Sequence, residues 1–110
     1  MSYNEKLVER VRKLLPKAIE EKKMFGGLSF LFHGKMFCGV LKDDLVVRIN
    51  KNDYEKFVSK PYVRPMDFTG KPMKGFLYVS SEGYKEDKEL TEWIEVGFRY
   101  VLSLNEKKNK

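Results

Sequence analysis

The fold of this chain is decided by residues 28–49, LSFLFHGKMFCGVLKDDLVVRI, in which three apolar runs alternate with two turn signals. The first run has large apolar side chains at every second position, which is the period expected of a strand. His33-Gly34 favours a tight hairpin, because Gly, and less readily His, adopts a positive φ. With a second turn at residues 42–44, the stretch predicts a three-stranded antiparallel meander.

An amphipathic helix is predicted at the N-terminus, over residues 2–15. Ser2 and Glu5 have the spacing of a capping box, in which each side chain accepts from a backbone N–H of the first turn. Pro16 lacks an N–H and should end the helix near Leu15. The apolar stripe of this helix consists of Leu7, Val11, Leu14 and Ala18.

The most regular pattern in the chain predicts a second helix from about Asp87 to Leu104, with Asp87 as its N-cap. Gly97 lies inside its apolar stripe, although Gly lowers helix stability by ~1 kcal/mol relative to Ala. We expect that a close approach to the sheet or to another helix leaves no room for a side chain there. The stripe consists of Leu90, Trp93, Ile94, Gly97, Phe98, Val101 and Leu102.

The region between these elements carries weaker signals. Asn50 is suited to cap a short helix that runs to about Ser59, and Pro61 and Pro65 should interrupt the segment after this helix. Residues 76–79 resemble a short strand that would join the meander as a fourth or fifth member. Together the patterns predict an α+β domain: an antiparallel sheet of about four to five strands, N- and C-terminal helices packed on it, and a short middle helix.

The composition is that of one small globular domain. The chain has 110 residues, of which 42% are hydrophobic and 14% aromatic, and this length suits a single core. We assign residues 1–104 to the domain and residues 105–110 to a basic flexible tail. The N-terminus lacks the apolar segment of a signal peptide, and no stretch approaches the ~20 apolar residues of a membrane span. We therefore expect a cytoplasmic protein without membrane contact.

No residue pattern predicts catalysis, a cofactor or a metal. The one histidine, His33, falls in a turn, and the one cysteine, Cys38, lies in an apolar run, where we expect a buried hydrophobe. A single histidine and a single cysteine supply neither a metal cluster nor a nucleophile with its base. The chain also has no glycine-rich phosphate loop. We accordingly predict no catalytic, cofactor-binding or metal-binding residue.

The formal net charge of +6 is compatible with acidic partners, including nucleic acid. Phe68 and Phe76 lie close in sequence to several basic residues, and basic groups with interleaved aromatic rings bind single-stranded nucleic acid. Both rings are, however, more simply interpreted as core. The candidate interaction surface is formed by the basic residues Lys22, Lys23, Arg64, Lys71 and Lys74.

Two blocks of sequence resemble the TfoX/Sxy family of competence regulators. The first is KKMFGGLSF at residues 22–30 with GKMFCGV at residues 34–40, and the second is RPMDFTGKPMKG at residues 64–75. The C-terminal helix with Trp93 is similar too. The resemblance implies an α+β domain of a bacterial cytoplasm, and we expect the stand-alone N-terminal type without a second, helical domain. Full-length members are linked to control of DNA-uptake genes together with the cyclic-AMP receptor protein, and the family supplies no catalytic residues.

From the resemblance we expect a non-catalytic regulatory or adapter domain that acts through contacts with an unidentified protein partner. Nucleic-acid binding through the basic surface is one alternative, and it predicts an affinity that falls steeply with salt. A small uncharacterised enzyme is another. Homodimerisation through an exposed apolar patch also stays open.

Overall fold

The structure, a computed structural model, describes residues 3–15, 19–24, 26–66 and 73–108. Along the chain these residues form α1 (Glu5–Leu14), β1 (Glu20–Met24), β2 (Gly27–Phe32), β3 (Lys35–Leu41), β4 (Asp44–Arg48), α2 (Tyr54–Val58), β5 (Val63–Met66), β6 (Met73–Val79) and α3 (Asp87–Lys108). The six strands make one antiparallel sheet in the order β1-β2-β3-β4-β6-β5. The α+β class is confirmed, and the sheet is larger than the four to five strands predicted.

The two strands that the sequence patterns did not predict lie at the two edges of the sheet. β1 is charged along most of its length, so its sequence shows no apolar alternation. It is a strand because its backbone pairs with β2. β5 contains Pro65, which was expected to interrupt the chain. Because the backbone of an edge strand has a partner on one side only, a residue without an N–H is tolerated there. β6 also begins before the predicted residue 76, at Met73.

α1 begins at Glu5 rather than at residue 2, because its N-cap is Asn4. The Asn4 side chain accepts hydrogen bonds from the backbone N–H groups of Lys6, at 2.9 Å, and Leu7, at 3.2 Å. The Asn4 backbone N–H donates to a carbonyl of the β3–β4 turn at 2.7 Å, which holds the chain before the helix against the sheet. The predicted helix start is therefore wrong; Ser2, which was to form the capping box, lies outside the described residues.

The predicted meander is confirmed by β2, β3 and β4. His33 and Gly34 adopt φ values of 51° and 77°, the left-handed conformations that a two-residue hairpin requires at both positions. Lys42 has a φ of 54° in the second turn, where Leu41 pairs with Asp44. Two tight turns therefore connect the three strands of the meander.

A β-bulge in β3 changes which side chains reach the core. Phe30 pairs with Cys38, whereas the next residue, Leu31, pairs with Met36, so Phe37 is an extra residue in β3. In a bulge two consecutive residues lie opposite one residue of the partner strand. Phe37 and Cys38 are accordingly both fully buried in the main core. The interpretation of Cys38 as a buried hydrophobe is confirmed.

The three helices supply their apolar side chains to one face of the sheet, which we call the inner face. Gly97 marks the place where α3 crosses β3, since a Cβ atom there would overlap the carbonyl oxygen of Phe37. The predicted close approach of helix to sheet is thus confirmed. The main core includes the fully buried side chains of Leu7, Val11, Phe30, Phe37, Leu45, Ile49, Leu77 and Leu90.

The other helix predictions hold with adjusted bounds. Asn50 caps the middle helical segment by accepting from the Asn52 N–H at 2.9 Å, and a short 3₁₀ turn, Lys51–Asp53, leads into α2. α1 ends as predicted, with Leu15 as its C-cap. α3 has Asp87 as its first helical residue, so Asp87 is not the N-cap that was predicted, and the helix continues past Leu104. In the described part of the chain no helix has both the length and the apolarity to cross a bilayer.

Candidate functional site

The face of the sheet opposite the helices carries a second hydrophobic cluster, and we call this side the outer face. Leu31, Met36 and Val46 are at most 8% exposed there, although the three helices pack on the inner face. Met36 also covers Gly39, whose missing Cβ would lie 3.2 Å from the Met36 Cε atom. The partly exposed residues packed around this cluster are Leu41, Phe76 and Tyr78.

One cross-strand row on the outer face connects two of the residues predicted as an interaction surface. Because residues paired across a sheet project from the same side, the row can be followed from strand to strand. It starts at Lys22 on β1 and ends at Arg64 on β5, five strand spacings or roughly 24 Å away. The members of the row are Lys22, Ser29, Gly39, Val46, Tyr78 and Arg64.

Three of the five predicted basic residues have described side chains, and these three do not form one patch. Lys23 pairs with Leu28, a core residue, so it belongs to the inner face, whereas its neighbour Lys22 belongs to the outer face. Lys22 and Arg64 lie at opposite edges of the sheet. Lys74 has its backbone in β6, and its side chain is not described; Lys71 lies outside the described residues.

Arg64 is held in place by two partners on the neighbouring part of the outer face. Its guanidinium forms an ion pair with Asp44, at the start of β4. The same group lies over the ring of Tyr78, 5.4 Å from the centroid, as in a cation–π interaction. Arg64 therefore presents an oriented cation beside an aromatic ring at the β5 edge of the row.

Sequence reasoning missed Arg48, a second arginine whose guanidinium lies beside aromatic rings. Its guanidinium lies 5.8 Å from the ring centroid of Phe76 and 5.3 Å from that of Tyr100, and it donates to the Met36 carbonyl at 3.4 Å. The alternation of β4 already placed Arg48 on the side opposite Leu45 and Val47. What the sequence could not show was Phe76, which comes from β6 and pairs with Arg48 across the sheet.

The residues with conventional catalytic chemistry lie elsewhere. Cys38 is fully buried, and this burial raises the pKa of its thiol well above the usual range. His33 is exposed in its hairpin turn, and its ring is tilted by 55° against that of Phe32, with centroids 4.2 Å apart. Within the described residues no group of three or more His, Cys, Asp or Glu side chains is placed to share a metal ion. The outer face offers apolar contacts, aromatic rings and guanidinium groups, which are means of recognition.

The fold and this face define a small α+β domain with one sheet side covered by helices and the other presenting an aromatic and cationic surface. A family model described as the TfoX N-terminal domain matches residues 9–99, which is most of the chain. The chain belongs to the TfoX N-terminal domain family, as the resemblance of its two sequence blocks indicated. A comparison with curated proteins finds none that matches it.

Proposed function

We propose that this chain is a non-catalytic regulatory domain of a bacterial cytoplasm that binds a protein partner through the outer face of its sheet. The observation that supports it is the outer cluster of Leu31, Met36 and Val46, on the side opposite the packed helices. These three side chains are buried, but residues packed around them, such as Leu41 and Phe76, are partly exposed, and grouped apolar side chains at a protein surface are typical of interaction sites. Membership of a family named for competence regulators supports a regulatory role.

The residue types of the outer face also suit a protein interface. Tyr and Arg are enriched among the residues that dominate binding energy, and here Arg64 is already oriented over Tyr78. Lys22 adds positive charge to the same side, and Arg48 adds positive charge between Phe76 of the outer face and Tyr100 of α3. We therefore propose a partner surface with an apolar centre and acidic residues around it, since such charges would steer association.

The test is affinity capture of the tagged protein from its native lysate after nuclease treatment, with one variant on each face. Leu41→Glu places a charge at the edge of the outer cluster, whereas Leu15→Glu makes the same change at a partly buried position on the helix side. We expect specific proteins to be retained by the parent chain and by Leu15→Glu, and lost with Leu41→Glu. Retention by all three would overturn the assignment to the outer face.

Nucleic-acid binding is the second candidate function, and a specific observation favours it. Arg64 over Tyr78 and Arg48 over Phe76 place cations and rings side by side, as in surfaces that stack single-stranded bases. The net charge of +6 acts in the same direction. Titration with a labelled single-stranded oligonucleotide at several salt concentrations tests it, because each neutralised phosphate releases counterions. Absence of binding at low salt would exclude this candidate.

A further inference from the structure

A cavity of about 300 Å³ opens on the helix side of the domain, away from the outer face. It lies between α2, the segment before β5 and the first half of α3. Its walls combine three aromatic rings with three charged groups, a mixture that the proposed interaction surface does not use. The residues that matter for its chemistry are Phe57, Lys60, Tyr62, Glu89, Glu92 and Trp93.

The aromatic wall is fixed by contacts within the protein. The Trp93 indole is 7% exposed, and its Nε1–H donates to the Gly83 carbonyl at 3.0 Å. Phe57 packs on it with ring centroids 5.5 Å apart and planes inclined at 58°. Tyr62 lies directly on Gly83, where a Cβ atom would overlap the ring. Three rings are therefore held in position before any ligand arrives, which lowers the cost of binding.

The charged groups of the cavity favour a cation. Glu89, Glu92 and Trp93 lie on one side of α3, because residues three and four apart are neighbours on a helix. Glu89 accepts from the Glu86 backbone N–H at 3.1 Å, whereas Glu92 has no hydrogen-bond or ion-pair partner among the described residues. Among the described residues of the lining, Lys60 is the one cation, and the two carboxylates of Glu89 and Glu92 outnumber it.

We propose that this cavity binds a small free organic amine in its alkylammonium form. The faces of aromatic rings attract a cation, and Lys56, with its Nζ atom 5.5 Å from the Phe57 centroid, is an example within this chain. A carboxylate at the opening adds Coulombic attraction, and the rings contact the alkyl part of the ligand. The size of the cavity is at the lower end of small-molecule sites, which suits a ligand of few atoms.

The experiment uses n-butylammonium as the probe and n-butanol as its uncharged counterpart. Trp93 is the one tryptophan of the chain, so its indole N–H gives a single, unambiguous signal in a ¹H–¹⁵N NMR spectrum. We expect this signal to shift saturably with n-butylammonium and not with n-butanol. Equal shifts with both probes would overturn the proposal, because the cavity would then recognise only the alkyl chain.

Two charge variants should change the affinity in opposite directions. Glu92→Gln removes the unpaired carboxylate and should weaken binding about two- to fivefold, whereas Lys60→Gln removes the competing cation and should strengthen it by a similar factor. Both side chains are exposed, so both variants should fold. Glu95→Gln is the matched control, since Glu95 lies on the same helix, outside the lining, and should leave the affinity unchanged. Identical affinities in all four proteins would contradict the proposal.

A lysine-containing peptide carries the same ammonium group on a larger molecule and identifies the source of the ligand. We compare it with a peptide in which norleucine replaces the lysine. If n-butylammonium binds, the result supports a free amine as the occupant, whether or not the lysine peptide binds as well. Binding of the lysine peptide in the absence of any response to n-butylammonium would overturn the proposal and assign the cavity to a protein side chain.

Discussion

Gly97 of α3 lies directly against the backbone carbonyl of Phe37 in β3, so that no side chain fits between the helix and the strand. The contact occurs at the β3 bulge, where Phe37 and Cys38 both face the inner side. Phe37 in turn packs edge-on against Phe98, the residue after Gly97, with ring centroids 5.3 Å apart. The bulge, the glycine and the two rings together set the distance between α3 and the sheet.

Gly97→Ala should therefore destabilise the fold. Alanine favours a helix by ~1 kcal/mol, but its Cβ would overlap a backbone atom that a side-chain rotation cannot move. We expect the free energy of unfolding to fall by about 1–3 kcal/mol, measured by urea denaturation. Gly75→Ala is the control, because its Cβ would make only an ordinary contact, 3.9 Å from the Ile49 carbonyl oxygen. Equal stability of Gly97→Ala and the parent chain would contradict this close contact between α3 and β3.

In the His33-Gly34 hairpin, a substitution can test backbone conformation without changing side-chain packing. A Cβ on Gly34 would meet nothing within 4 Å, yet its φ is 77°. Gly34→Ala should therefore lower stability by about 1–2 kcal/mol through backbone strain alone. His33→Asn should not lower it, because Asn adopts positive φ more readily than most residues. Thermal denaturation of both variants checks this. A Gly34→Ala variant as stable as the parent chain would exclude the left-handed turn.

Cys38 should react with thiol reagents only when the protein unfolds. Its side chain is fully buried and burial raises the pKa of the thiol, so that neither access nor ionisation favours attack. We expect the labelling rate in native buffer to be far below that of a free thiol and to rise with urea in parallel with unfolding. Ser81→Cys in a Cys38→Ala background provides an exposed control thiol. Rapid labelling of the folded parent chain would be inconsistent with this core.

The ion pair between Arg12 and Glu21 should make stability depend on acid pH. Arg12 donates two hydrogen bonds of 2.7 Å to the Glu21 carboxylate, and these bonds lower the pKa of that carboxyl. A lowered folded-state pKa means that the stabilisation is present at neutral pH and is lost as the pH falls through that pKa. Because both side chains are partly exposed, the contribution is at most about 1 kcal/mol.

Glu21→Gln tests this pair by urea denaturation at neutral and acid pH. The variant should be less stable than the parent chain at neutral pH, and the difference should disappear once Glu21 is protonated in the parent. Glu20→Gln, a neighbouring exposed carboxyl, serves as the control. A difference between Glu21→Gln and the parent chain that is the same at both pH values would show that the pair does not act through ionisation.

The candidate site was predictable only in part. Basic residues such as Lys22 and Arg64 could be found in the sequence, but their positions at opposite ends of one row depend on pairing through four other strands. The alternation of β4 showed that the Arg48 side chain projects from the side opposite the core. Its aromatic partner Phe76 comes from a strand 28 positions later, and no local pattern links the two.

The sequence alone determined the elements that depend on near neighbours. The periodicity of residues 87–104, the His33-Gly34 turn and the Asn50 cap are local, because their hydrogen bonds and side-chain contacts join residues a few positions apart. The tertiary structure decided the rest. β1 and β5 are strands because the edges of the sheet offer them partners, and Trp93 lines a cavity because α2 and Tyr62 are brought to it. These features depend on contacts between distant parts of the chain, which leave no periodic signal in the sequence.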